Sequence, residues 1–133
     1  MPAQFVVQLR NRPGALADFV KALAAHGVDI QDISGGGVGD VGYAILTTND
    51  DERTREVLRR SGHHFAEGQP VRMEIQDRPG ELATVTERLA AAGININGVV
   101  LIGRTETTVE IAVTVDDPDL ARRVLGLEPA LEV

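Results

Sequence analysis

The chain has no cysteine, so neither a disulfide framework nor thiolate chemistry is available to it, a usage that fits a reducing compartment. Aromatic residues are scarce too. With three phenylalanines, one tyrosine and no tryptophan in 133 residues, the 43% of hydrophobic residues must build an interior from leucine, valine, isoleucine and alanine. No stretch approaches the ~18 apolar residues of a membrane span, and residues 1–4 hold no basic segment leading into an apolar run. A cytoplasmic location is therefore expected. Excess basic charge is also missing: the net charge is −7, with 7 basic and 9 acidic side chains in residues 1–67 (−2) and 6 and 11 in residues 68–133 (−5). Nucleic acids and anionic membrane surfaces both recruit lysine and arginine, so neither is an expected partner.

Catalytic constellations are absent as well. His63 and His64 are adjacent, which in a strand sends them to opposite faces, and His26 ends a predicted helix, so no metal-ligand spacing results. No motif joins a histidine to a serine nucleophile. The acidic pairs Asp50-Asp51 and Asp116-Asp117 fit helix caps better than a catalytic dyad. No metal, no cofactor and no enzymatic activity are expected.

What the sequence does contain is a duplication. Arg12-Pro13-Gly14-Ala15-Leu16 returns 66 residues later as Arg78-Pro79-Gly80-Glu81-Leu82, and an ungapped offset of 66 gives 10 identities over the 19 positions 12–30. Residues 1–67 and 68–133 are thus read as two related units, joined at Gly68-Gln69-Pro70 with no room for a flexible linker.

Each unit begins with alternation. Ala3, Phe5, Val7 and Leu9 share one face of a predicted strand over 3–9, with Gln4, Val6 and Gln8 outward; Val71, Met73 and Ile75 repeat the pattern. Asn11 and Asp77 are candidate N-caps, with Pro13 and Pro79 just inside the helices that follow. Leu16, Phe19, Val20, Leu23 and Ala24 then form an amphipathic stripe, echoed by Leu82, Val85, Leu89 and Ala90, and Gly27 and Gly93 close the helices. Second strands are expected from 28–30 and 94–96, the latter running on through 99–102, and returning strands at 43–48 and 107–115. Glycine-rich 34–42 and the tighter 103–106 would join them. Residues 37–42 match G-x-G-x-x-G only formally, because they precede a strand rather than open a helix; a hairpin loop or a flap over a ligand are the two readings. Second helices follow, the first headed by Asp50, Asp51 and Glu52 with Arg59 and Arg60 at its tail, the other capped by Asp116 and stopped at Gly126. Short closing strands are expected at 63–66 and 127–133.

The result is an α+β chain of two tandem βαββαβ, ferredoxin-like units, each an antiparallel sheet with its helices on one face. The order of elements, the Asn/Asp-Arg-Pro-Gly-x-Leu turn and the Gly-Val/Ile-Asp/Asn-Ile segment that leads into the second strand resemble the ACT domain, twice over and across nearly the whole chain. That resemblance implies small-molecule sensing, most often of amino acids, and sheets that pair edge to edge, hence a homodimer or higher oligomer.

The turn also has its own chemistry. Free N–H groups and the positive dipole end at a helix start attract a carboxylate, and Gly14 and Gly80 leave the approach open. Asp77 could meet a ligand ammonium where Asn11 offers no charge, which would make the second turn the tighter one. The ligand-binding candidates are accordingly Asn11, Arg12, Pro13, Gly14, Ala15 and Leu16, with Asp77, Arg78, Pro79, Gly80, Glu81 and Leu82. Asp29, Gln31, Asn95 and Asn97 join them because they sit where ACT-like sites receive side chains from a neighbouring unit across the sheet edge. The competing reading makes the turns caps and the strand residues a polar outer face. The function expected is a non-catalytic regulatory module that senses an amino acid at unit or subunit interfaces and acts allosterically. Docking on an amino-acid biosynthetic enzyme, or dimerisation without a ligand, are the alternatives.

Overall fold

In the computed structural model, which describes residues 2–128, the opening alternation becomes strand β1 (Gln4–Arg10). Helix α1 (Ala15–Ala25), strands β2 (Ile30–Val38) and β3 (Val41–Thr48), helix α2 (Asp51–Arg60) and strand β4 (Phe65–Gly68) follow. The second unit repeats the series with β5 (Val71–Gln76), α3 (Glu81–Ala91), β6 (Ile96–Arg104), β7 (Thr108–Val115) and α4 (Pro118–Val124). The chain divides into Met1–Gly68 and Gln69–Val133. No helix among the described residues is long and apolar enough to cross a membrane.

In the first unit the sheet order is β2-β3-β1-β4, all antiparallel. The order follows from the connections: each helix carries the chain over one face, so β1 and β3 end up central and β2 and β4 at the edges. Phe5 and Val7 from β1, Ala44 and Leu46 from β3, Phe19 and Leu23 from α1, and Val57 and Leu58 from α2 make one core on that face. Burying a side chain such as Leu23 or Phe5 contributes about 1.5–3 kcal/mol. The Arg55 guanidinium is bidentate to Glu67, Nε to Oε1 at 2.5 Å and Nη2 to Oε2 at 2.8 Å, and ties α2 to the edge strand β4. In the second unit β5-β7-β6 form the sheet, and Val71, Met73, Ile111 and Val113 pack against Leu89 of α3 and Ala121 of α4. Its closing strand, expected at 127–133, lies beyond the described residues except for Leu127 and Glu128, which are in no strand.

Several local expectations need correction. Neither Asn11 nor Asp77 is an N-cap and neither proline is helical: Gly14 (φ 88°) and Gly80 (φ 92°) are the capping residues, and the helices start at Ala15 and Glu81. The Pro-Gly pair forms a turn closed by Ala15 N–H donating to the Arg12 carbonyl at 3.2 Å, and only glycine takes its left-handed last position without strain. On α4 the cap is Asp117, accepting from Leu120 N–H, while Asp116 accepts from Asn95 N–H.

The stripes also narrow. Leu16 is 52% and Leu82 47% exposed, and Ala24 and Ala90 face solvent, so the buried seam runs through Phe19 and Leu23 in one unit and Leu89 in the other. Gln4, placed outward by alternation, is buried. The glycine-rich segment is no loop: Gly35, Gly36 and Gly37 pair with Ala44, Tyr43 and Gly42 inside the ladder, and Gly39-Asp40 alone make the turn. Glycine persists in this strand because neighbours come close. A Cβ on Gly35 would lie 2.7 Å from the Tyr43 carbonyl oxygen, and one on Gly37 2.6 Å from Asn11 Cγ.

Candidate functional site

The first turn sits where the C-terminal end of β1, the N-terminus of α1 and the β2–β3 hairpin converge. Asn11 joins them: its N–H donates to the Asp40 carbonyl at 3.0 Å and its Nδ2 to the Gly39 carbonyl at 2.9 Å. The first helical bond of α1 runs from Asp18 N–H to the Gly14 carbonyl, leaving the N–H groups of Leu16 and Ala17 without a backbone acceptor. A Cβ on Gly14 would meet nothing within 4 Å, so the approach to the turn is open. Arg12 is exposed and has no ion-pair partner among the described residues.

Beside the turn lies a groove of about 520 Å³, bounded by Leu9, Asn11, Arg12, Leu16, Ile33, the backbone of Gly35–37, Gly42 and Ala44. Its origin is the glycine run. Register places Ile33, Gly35 and Gly37 opposite Leu46, Ala44 and Gly42, on the face the helices cover, so two successive inward positions of β2 carry no side chain. Leu16 and Ile33, which border it, are half exposed at 52% and 48%, as their counterparts Leu82 and Val99 are in the second unit at 47% and 39%.

On the other flank of α1 a second cavity, of about 540 Å³, is lined by Arg10, Arg12, Ala15, Asp18, Phe19, His63 and His64. The His63 ring meets Phe19 edge-on at 5.4 Å, and its buried Nδ1 has no hydrogen-bond partner. Burial pushes its pKa below the ordinary histidine value, because the charged ring loses hydration with nothing in return.

Of the first unit's candidates, Asn11, Arg12 and Leu16 reach the groove. Ala15 lines the other cavity, and Pro13 and Gly14 shape the turn without bordering either space. Asp29 and Gln31 lie at the opposite end of the sheet from this turn. Asp29 exchanges bonds with Asn49, and Gln31 borders a small recess with Thr48 and Asn49. The fold of one unit therefore does not bring them to the turn.

The second turn differs. Asp77 is held by Arg104, Oδ2 to Nη1 at 2.5 Å, and Arg78 by Glu81 at the same distance, so the carboxylate expected to await an ammonium already has a cation. Pro79 completes the turn and Gly80 again leaves open space. Asn95 and Asn97 bond to each other, Nδ2 to Oδ1 at 3.1 Å, at the far end of β6. Leu101 stands 66 residues after Gly35, opposite the core residue Ile111, and places an isobutyl group where the first unit has none.

Sequence reasoning missed Ile33, Gly35 and Gly37 as groove residues. The signal was there: extending the repeat past residue 30 sets Gly35 against Leu101 and Gly36 against Ile102, and that asymmetry marks where the units diverge.

Comparison with known proteins is consistent across the chain. The profile of the ACT domain family matches residues 3–60 and 71–125. No curated protein matches. Among solved structures, a protein from Bacteroides thetaiotaomicron aligns at TM-score 0.64 and 19% identity over 94% of this chain and 86% of its own. The ligand-free regulatory subunit of aspartate kinase from Thermus thermophilus aligns at 0.58 and 19%, over 94% and 91%. A structure of aspartokinase alpha and beta subunits aligns at 0.57 and 20%, over 94% and 95%. At such identities the likeness is one of fold.

Proposed function

The chain belongs to the ACT domain family, and from that premise we propose that it is a non-catalytic regulatory module whose first unit binds an α-amino acid beside the turn of residues 11–16. One observation carries the reading: an open groove lies against a helix start with unfilled N–H groups and an unpaired Arg12. The amides and the helix dipole suit a carboxylate. Arg12 adds charge within reach. Asn11, whose Nδ2 is spent on Gly39, keeps Oδ1 as an acceptor for an ammonium.

The ligand would act by linkage. By bridging β1, α1 and the β2–β3 hairpin it would favour one placement of these elements, and whatever partner distinguishes that placement would feel the ligand. Edge strand β2, with Ile33 and Val38 exposed, suits pairing with a second copy, so the working form is proposed to be a dimer. A second reading makes the chain a regulatory subunit that docks on an amino-acid biosynthetic enzyme, as the aspartate kinase subunit of like fold is described. Co-purification with a larger enzyme chain would favour it.

Thermal denaturation with each of the twenty amino acids and related metabolites tests the proposal. A ligand at about 100 times its Kd stabilises by ~2.7 kcal/mol. At least one should raise Tm clearly. A flat response to all of them sinks the ligand reading and leaves a dimerisation scaffold.

A further inference from the structure

We infer that the groove of the first unit selects amino acids with an apolar side chain, that Leu16 and Ile33 set this selectivity, and that the second unit takes no such ligand. The inference rests on the proposed function, since it names the class of ligand for that same site.

The fold points two large aliphatic side chains inward and then fails to cover them. Leu16 belongs to the helix stripe that buries Phe19 and Leu23, yet it is half exposed. Ile33 is opposite the fully buried Leu46 and is half exposed as well. Between them the strand offers Gly35 and Gly37, whose missing side chains leave Leu9 and Ala44 as the groove floor. A mostly apolar surface held open inside a concave site, with its charged groups, Arg10 and Arg12, gathered at the turn end and only Ser34 and Tyr43 adding hydroxyls along the strands, is the plan of a small-molecule pocket that reads shape and hydrophobicity. Arg12 and Asn11 stand at the turn end, and no acid borders the groove. A ligand whose carboxylate meets the turn would therefore lay its side chain against Leu16 and Ile33. There a charged side chain would give up hydration against an apolar wall with no opposite charge to meet it.

The repeat supplies an internal contrast. In the second unit Leu101 replaces Gly35, a bulge between Leu101 and Gly103 replaces the continuous pairing of Gly35–37, and the charged turn residues Asp77 and Arg78 are already paired. The features that would admit a side chain and its charged end are altered together. The chain should thus bind one ligand, not two.

Calorimetric titration of the full chain with leucine, phenylalanine, valine, alanine, serine, aspartate and lysine tests this. Leucine or phenylalanine should bind at least about tenfold more tightly than alanine or serine, the usual worth of a lost methylene or more in an apolar pocket. The stoichiometry should be one per chain. Leu16→Ala and Ile33→Ala, at positions exposed enough to fold, should each weaken the apolar ligand several-fold. Leu82→Ala and Leu101→Ala should leave it unchanged. Tightest binding by serine, aspartate or lysine, insensitivity to Leu16 and Ile33, or two equivalents per chain would overturn the inference while leaving amino-acid sensing intact. No heat or Tm response with any amino acid would remove both.

Discussion

Asn11 Nδ2 donates to the carbonyl of Gly39 at 2.9 Å, and that bond pins the turn before α1 to the tip of the β2–β3 hairpin 28 residues away. It exists because Gly37 has no side chain. The Asn11 carboxamide occupies the space in which a Cβ would stand, within 2.6–2.8 Å of its Cγ, Oδ1 and Nδ2.

Gly37→Ala should therefore destabilise the first unit by ~1–3 kcal/mol through overpacking, and Asn11→Ala in the same chain should recover part of the loss. Urea denaturation of both single variants and the double variant gives the coupling energy. Strict additivity would mean that Asn11 moves aside freely and that the bond to Gly39 has no structural weight.

The helix phases are tested by truncation. Leu89→Ala should cost about 2–5 kcal/mol, because the side chain is wholly buried and its removal leaves a cavity. Leu82→Ala and Glu87→Ala should stay within ~0.5–1 kcal/mol, since both positions are exposed. If Leu82 proved as costly as Leu89, its exposed setting would be wrong.

Stability should depend on pH through His63. Its folded pKa lies below the ordinary 6.5 because the ring is partly buried and loses hydration, so the unfolded chain takes up a proton at higher pH than the folded one. The contribution is complete above pH 6.5 and is lost as pH falls from there through the lower folded value. Tm measured from pH 7.5 to 5 should fall less steeply in His63→Phe, which keeps an aromatic ring beside Phe19. An equal slope in the variant would assign the loss to other groups.

Glu67 acts in the same direction at lower pH. Its hydrogen bond to Arg55 holds the carboxyl below its ordinary 4.5, so this stabilisation is present above that value and disappears as pH drops through the folded pKa. Glu67→Gln should be less stable than the parent at pH 7, and the gap should close as pH falls below 4.5 and through the folded pKa. A constant gap in chemical denaturation across that range would rule out the ion pair as the cause.

Gly14→Val and Gly80→Val force the same left-handed backbone on a branched residue, at φ 88° and 92°, and each should cost roughly 1–2 kcal/mol. Their effects on ligand should differ. Amino-acid binding should vanish in folded Gly14→Val and survive in Gly80→Val. The opposite pattern in calorimetry would return the site to the second turn.

Much of this protein was legible in its residues because the relevant forces are local and periodic. The strand alternation at Phe5, Val7, Val71 and Met73, the helix stripe through Phe19, Leu23 and Leu89, the acidic head and basic tail of α2, and the left-handed stops at Gly27 and Gly93 each follow from side chain and backbone within a few residues. The repeat multiplied that information by two and fixed the βαββαβ plan. Other features were decided by parts of the chain meeting in space. Strand pairing overrode glycine's poor propensity at Gly35–37, where the close approach of the Tyr43 carbonyl to Gly35 and of Asn11 to Gly37 leaves no room for a Cβ at those two positions. Asn11 and Asp77 read as caps, but the hairpin tips captured them through Gly39 and Arg104. Leu16 and Leu82 both read as core and both ended half exposed, because no element of their own unit covers that part of the helix. A groove is the shape left between elements distant in sequence, and only their packing determines where it opens and which side chains, such as Leu16 and Ile33, border it.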